Sequence, residues 1–251
     1  MPSAAVIVIP CYNEARRLKA NQFKEYCAIS PSHHFVFVND GSSDATLKVL
    51  EALHAEDPYH FAVIDLRMNV GKAEAVRQGL LFAFASNPAF AGYWDADLAT
   101  PLEAILSFCE LLESRVELEM VFGARVRLLG RSIERNPLRH YFGRAFATAA
   151  SLTLGLPIYD TQCGAKLFRA SPVVHSLFQQ PFTSRWLFDV EIIARLIQTC
   201  GRDNLPPPST LIYEFPLYTW HDVAGSKVKP YDFFKSLFDL SKIYFKYRKN
   251  S

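Results

Sequence analysis

Asp95-Ala96-Asp97 sets two carboxylates one small residue apart, directly after the apolar run Ala91-Gly92-Tyr93-Trp94. Two such groups can converge on one hard cation. Mg²⁺ and Mn²⁺ prefer oxygen ligands and can bridge a diphosphate. The chemistry this predicts is charge neutralisation on a departing nucleoside diphosphate, with Asp95 and Asp97 as the metal ligands. A solvated turn or a helix cap would use the same residues, so the position of the pair in the chain has to decide.

That position is set by alternating strands and helices. Ala5 to Ile9, Phe35 to Val38, Phe61 to Leu66, the run ending at Trp94, and Glu119 to Gly123 read as strands. Between them, helical periodicity covers Glu14 to Ala28, Ser43 to Ala55, Gly71 to Ala85, and Pro101 to Ser114. Continuous apolar strands alternating with helices predict an α/β fold, with a mostly parallel central sheet and helices on both faces. Ligands on such sheets bind beyond the carboxyl ends of the strands. The second half is less regular: helices over Pro137 to Leu154, Asp189 to Thr199 and Tyr231 to Tyr247, and strands at Lys166 to Phe168 and Leu211 to Phe215.

The loops at that edge are polar. Strand one is followed by Pro10-Cys11-Tyr12-Asn13-Glu14, strand two by Asn39-Asp40-Gly41-Ser42-Ser43-Asp44, and strand three by Asn69-Val70-Gly71-Lys72. Tyr12 can lie against a base, Glu14 can accept from ribose hydroxyls, and Asp40 can accept an imide N–H. Gly71 permits close backbone approach, and Lys72 offers a charge to phosphate. Taken singly, Glu14 and Asp44 are equally well explained as acids in a helix first turn, and Gly71 as a helix start. Their coincidence on one edge favours a ligand site.

Composition bounds the rest. The chain has 251 residues, half of them hydrophobic, and a formal net charge of +2, which fits one α/β domain. No nucleic-acid partner is expected. Basic residues cluster at Arg125, Arg127, Arg131, Arg135, Arg139 and Arg144, and again from Lys227 to Lys249; both suit phosphate or an anionic membrane surface. The five cysteines lack metal-ligand spacing and are odd in number. With no signal peptide, the expected setting is cytoplasmic, with peripheral contact at the cytoplasmic face of a membrane. The longest charge-free apolar stretch, Ala145 to Tyr159, is shorter than the about 20 residues of a spanning helix.

The segments VIVIPCYNE, VNDGSSDAT, MNVGKAEAVRQGL and YWDADLATP together resemble the family-2 glycosyltransferases of GT-A fold. Three later segments, DTQCGAKLF, RWLFDVE and WHDVAGSK, are similar to those of dolichyl-phosphate and bacterial polyprenyl-phosphate glucosyltransferases. The resemblance implies one GT-A domain, with a nucleotide-sugar-binding half over residues 1–125 and an acceptor-binding half over 126–251. It implies an inverting, metal-dependent hexosyltransferase moving glucose from UDP-glucose to a polyprenyl or dolichyl monophosphate. A family-2 enzyme with a soluble glycan or small-molecule acceptor is the alternative. Pro10, Tyr12, Glu14 and Asp40 would contact the nucleoside, Asp95 the ribose or metal beside Ala96, and Asp97 the metal and diphosphate. Related mannosyl enzymes often carry Gln where this chain has Ala99, which implies one protein ligand fewer for the metal. Many relatives also carry membrane anchors or spanning helices that are not expected here.

On the acceptor side, Arg125, Arg131 and Arg139 are candidates to hold the acceptor phosphate by forked hydrogen bonds. Asp160 is the candidate carboxylate that orients the acceptor. Ser226 and Lys227 are candidates to close over the diphosphate. Asp189 and Glu191 read as helix-start acids, and Trp186 as facing either the sugar or the core. Apolar residues at helical spacing, from Leu138 to Ala149 and from Phe233 to Phe245, suit either core packing or a membrane interface.

Overall fold

The computed structural model describes residues 4–134, 137–223 and 230–248. In the first half the elements run β1 (Ala5–Cys11), α1 (Ala20–Ile29), β2 (His33–Asp40), α2 (Thr46–Glu56), β3 (Phe61–Leu66), α3 (Lys72–Phe84), β4 (Phe90–Trp94), α4 (Ala104–Ser114) and β5 (Met120–Ala124). The second half continues with β6 (Ser132–Glu134), α5 (Pro137–Leu154), β7 (Ala165–Arg169), α6 (Pro172–Phe178), α7 (Phe188–Asp203), α8 (Pro208–Leu211), β8 (Ile212–Pro216), β9 (Thr219–His221) and α9 (Pro230–Arg248).

Among the described residues, seven strands form one sheet in the order β3-β2-β1-β4-β7-β5-β8. β1 is parallel to β2 and β4, and β2 is parallel to β3. β7 is antiparallel to both β4 and β5, while β8 is parallel to β5. Because β4 and β5 both oppose β7, they run the same way and end at the same edge. The expected common rim therefore exists. β7 comes from the second half of the chain and lies between two first-half strands, so the two halves share one sheet.

The period of two along the strands sorts the core. Ile7 and Ile9 of β1 face a layer containing α1, α2 and α4, with Phe23, Leu50 and Phe108 packed there. Val6 and Val8 face the other layer, where α3, α6 and α7 bring Val76, Leu177 and Ile192. A third cluster joins α5, α7 and α9 through Phe146, Val190, Leu240 and Ile243.

Two departures from the sequence reading have local causes. The first helix starts at Ala20 instead of Glu14. The amides of Asn13, Glu14 and Ala15 donate to Ser42 Oγ, Thr46 Oγ1 and Asp44 Oδ2 of the neighbouring rim loop. Those bonds fix residues 13–15 in the rim, and Asn13 adopts a positive φ of 53°. The second departure is β6 and β9, which form a separate two-stranded parallel sheet. Three-residue strands carry too little periodicity to be read from sequence.

Candidate active site

The Asp95–Asp97 loop is held from three sides. Asp95 N–H donates to Gly164 O at 2.8 Å, joining the start of the loop to the segment that leads into β7. Trp94 Nε1 donates to Thr100 O at 3.1 Å. His221 N–H donates to Ala99 O at 3.1 Å, bringing the small sheet onto the loop. Leu98 bends the chain with a φ of 53°. A Cβ at Gly164 would lie 1.9 Å from Asp95 Oδ2, so glycine is required for this approach.

The two carboxylates meet different partners. Asp95 Oδ1 lies 2.6 Å from Lys72 Nζ. Asp97 Oδ1 accepts from Ala99 N–H at 3.1 Å. Burial pushes the Asp97 carboxyl above the ordinary carboxylate range, and the charge of Asp95 adds to this; the Ala99 amide, Lys72 and Arg17 oppose it. Burial works against the Lys72 charge, but Asp95, Asp189 and Asp97 outweigh it and hold the ammonium above its usual pKa. Ala96, between the carboxylates, is buried.

This donor set fits a hard divalent cation. Burial first, and the Asp95 charge second, disfavour the ionised Asp97 carboxylate, and a bound cation would offset both. Among the described residues no group of three or more His, Cys, Asp or Glu side chains is poised to hold a metal. Mg²⁺ and Mn²⁺ sites on nucleotides commonly use one or two carboxylates, with phosphate oxygens and water completing the shell, and that is the set Asp95 and Asp97 offer.

The remaining rim residues hold the loops to one another. Asp40 is buried, and its carboxylate accepts from Val70 N–H at 2.7 Å and Gly71 N–H at 3.0 Å. Burial raises its pKa, and these two amides act against that rise. Gly71 takes a φ of 96°, and a Cβ there would lie 2.6 Å from Arg185 Nε. Its glycine therefore serves the packing of Arg185, which also donates to Val70 O and Asn69 Oδ1. Glu14 is buried and accepts from Arg17 at 2.6 and 2.8 Å. Pro10 is half-buried at the end of β1, opposite Val38, and Tyr12 is exposed on the rim.

In the region expected to meet the acceptor, the structure pairs two residues that the sequence suggested separately. Arg125 Nε and Nη2 donate to Asp160 Oδ2 and Oδ1 at 2.7 and 2.8 Å. The Arg125 amide also donates to Asp160 Oδ2, at 3.1 Å. The expected phosphate fork of Arg125 is thus turned onto Asp160 in this structure. Burial opposes the Arg125 charge, yet Asp160 prevails and raises its pKa. Arg131 lies 3.4 Å over the Tyr218 ring. Arg135, Ser226, Lys227 and the side chain of Arg139 lie outside the described residues.

Trp186 is exposed, which removes core packing as its role. Of the two apolar helices, Phe146, Leu240 and Ile243 are buried in the third cluster, whereas Tyr141, Leu237 and Phe245 are exposed. All five cysteines are buried. Burial pushes the Cys163 thiol up to about 11, which argues against a nucleophile there. No helix among the described residues is long and apolar enough to cross a membrane.

Comparison with known proteins adds the identity of the fold and family. Residues 6–176 match Glycosyl transferase family 2. The chain belongs to that family. It is 29% identical over 238 residues to a dolichyl-phosphate beta-glucosyltransferase of Saccharomyces cerevisiae, covering 88% of this chain and 68% of the relative. The Drosophila melanogaster protein of the same name is 30% identical over 241 residues, with 90% and 69% covered. Glucosyl-3-phosphoglycerate synthase from Mycobacterium tuberculosis, solved in complex with Mn²⁺, UDP and glucosyl-3-phosphoglycerate, superposes with a TM-score of 0.59 at 17% identity. That superposition covers 97% of this chain and 79% of the synthase. The fold is the expected GT-A arrangement.

Several residues that shape this family-2 site escaped the sequence reading. Lys166 is fully buried in β7, and its ammonium donates to Thr161 O at 3.0 Å and Cys163 O at 2.7 Å and pairs with Asp189 at 2.7 Å. Tyr93 Oη also donates to Asp189. Asp189 is therefore a buried counter-ion, a role beyond that of a helix-start acid. Glu191 is likewise fully buried and accepts from Thr183, Arg195, Lys246 and Tyr247. Glu214 accepts from the Tyr159 and Asp160 amides. A signal existed: an ionisable residue inside an apolar strand, such as Lys166 in Ala165-Lys166-Leu167-Phe168, demands a buried partner.

Proposed function

We propose that this chain transfers glucose from UDP-glucose to the phosphate of a polyprenyl or dolichyl monophosphate, with inversion at the sugar C1. The observation that carries the reading is the reach of the similarity. The relatives named dolichyl-phosphate beta-glucosyltransferase align along 88% and 90% of this chain, through the acceptor-side half as well as the nucleotide-side half.

The uridine lies across the rim loops at Pro10, Tyr12, Glu14 and Asp40. Lys72 and the Asp95–Asp97 loop face the diphosphate. Asp95 and Asp97 would hold Mg²⁺ or Mn²⁺, which neutralises the leaving diphosphate when bound. A phosphate monoester is largely dianionic near neutral pH, its second pKa being about 6. Its oxygen attacks C1, the C1–O bond to UDP breaks, and the electron pair leaves on the diphosphate. Such a nucleophile needs positioning more than a strong base. Asp160 orients the acceptor while Arg125 neutralises and fixes Asp160, and Arg139 lies on the same acceptor side. The protein meets the lipid peripherally, with exposed Tyr141, Leu237 and Phe245 as apolar contacts.

The test is incubation of the full chain with labelled UDP-glucose or GDP-mannose, Mn²⁺, and a polyprenyl phosphate. Label entering the organic phase from UDP-glucose alone is the expected result. Label that stays in the aqueous phase, with transfer only to a soluble phosphorylated or glycan acceptor, would redirect the assignment. Flotation with anionic liposomes tests the membrane contact; protein remaining wholly in the lower fraction would count against it.

A further inference from the structure

Two buried polar groups beside the Asp160–Arg125 pair have no hydrogen-bond partner among the described residues. Thr161 is 1% exposed and its Oγ1 makes no hydrogen bond. Gln162 Nε2 is buried and equally without a partner. Native interiors leave few such groups, and each calls for an explanation. Both residues line a partly open cleft of about 30 Å³ between α5 and the segment 159–162. The lining also includes Arg125, Arg144 and Asp160.

The chemistry of that cleft is selective. It carries two guanidinium groups and one carboxylate, and the carboxylate is already engaged by the Arg125 fork. Glu214 is not part of the lining, and its oxygens are taken by the Tyr159 and Asp160 amides. Arg144 stacks on Tyr159, with its guanidinium carbon 3.9 Å from the ring centroid, and uses Nη1 on Tyr159 O at 3.0 Å. This contact holds the guanidinium flat and in place. Two N–H or O–H donors without acceptors, in a lining of net positive charge, suit an anionic oxygen. The size admits one such oxygen with the rest of its group at the mouth.

The segment also links this cleft to the transfer site. Two residues beyond Gln162, Gly164 accepts from the Asp95 amide. An oxyanion seated at Thr161 and Gln162 would therefore be positioned by the same stretch of chain that positions the carboxylate pair.

We infer that the Thr161–Gln162–Arg144 cleft is the anchor for one phosphate oxygen of the monoester acceptor, and that Thr161 and Gln162 are binding residues for it. This rests on the acceptor class proposed above. It gives the acceptor phosphate a set of donors distinct from the Arg125 fork.

The experiment measures binding of a short-chain prenyl phosphate, the matching prenyl alcohol, and UDP with Mn²⁺ to the full chain and to Thr161→Val, Gln162→Met and the double variant. Hydrogen bonds to charged groups predict about a tenfold or greater loss of prenyl-phosphate affinity for each single change, and more for the double. UDP binding should be unchanged, and acceptor KM should rise with little change in donor KM. Thr161→Ser, which keeps the hydroxyl, should restore the affinity. A folded double variant that binds prenyl phosphate as well as the unsubstituted chain does would overturn this inference alone. Equal binding of phosphate and alcohol by the unsubstituted chain would also overturn it, leaving the lipid tail as the anchor. No binding of prenyl phosphate by the unsubstituted chain would overturn both this inference and the acceptor class it rests on.

Discussion

The two halves of the rim are held together by different means. On the nucleotide side, short loops bond to one another through side chains and backbone amides: Asp40 to Val70 and Gly71, Asn13 to Ser43, Thr46 to Glu14. On the side proposed for the acceptor, buried charges are matched across the chain: Arg125 with Asp160, Lys166 with Asp189, Arg195 with Glu191. The first arrangement tolerates small losses, because each bond contributes about 1 kcal/mol net. The second does not, because removing one member leaves a charge without compensation in the interior. A site built this way has a platform of many weak ties, proposed for the donor, and a wall of few strong ones, proposed for the acceptor.

The strongest way to break that contrast is Lys166→Met. Stability should fall by about 3–5 kcal/mol, since Asp189 is left charged and buried. Adding Asp189→Leu should recover much of that loss. Thermal unfolding of the single and double variants checks the outcome; a single variant as stable as the parent would remove the acceptor wall from the account.

Gly164→Ala follows in size. Its Cβ would collide with the Asp95 carboxylate, so either the carboxylate or the loop must move. Overpacking of this kind costs about 1–3 kcal/mol. Transfer should drop far more than stability does, because the displaced group is a proposed metal ligand. Parallel assays of turnover and unfolding separate the two effects.

A subtler probe is pH. The fold favours protonated Asp97, so the stability linked to this group is fully present below the ordinary aspartate pKa and is lost as pH rises through the raised one. Two results should follow. Mn²⁺ binding should weaken on acidification at a higher pH than an ordinary aspartate would give. At neutral pH and without metal, Asp97→Asn should be at least as stable as the parent. Metal titration across pH, paired with unfolding of the variant, checks both.

The same contrast explains what could be read from sequence. The nucleotide-side motifs are contiguous, and each follows its strand directly, so Asp40, Gly71, Lys72 and Asp97 could be placed on one edge from pattern alone. The pairing of Lys72 with Asp95 could not, because it joins two loops whose spacing only the sheet order sets. The acceptor side was legible as segments but not as contacts. Asp160 and Arg125 are 35 residues apart, and Lys166 meets Asp189 only because β7 inserts antiparallel between β4 and β5. Gly71 looked like a ligand-facing glycine, yet its nearest constraint is Arg185 from the other half. The start of α1 was misplaced because side chains of another loop capture the amides of residues 13–15.

Asp95 and Asp97 are proposed to hold jointly the cation that neutralises the leaving diphosphate. Titrating Mn²⁺ into the protein with UDP present, by calorimetry or by the loss of the free-ion paramagnetic signal, tests it most directly. The account predicts UDP-dependent Mn²⁺ binding by the parent, and its loss in a folded Asp97→Asn variant that retains the UV-detected protein and its unfolding transition. Undiminished UDP-dependent Mn²⁺ binding by that variant would contradict the claim.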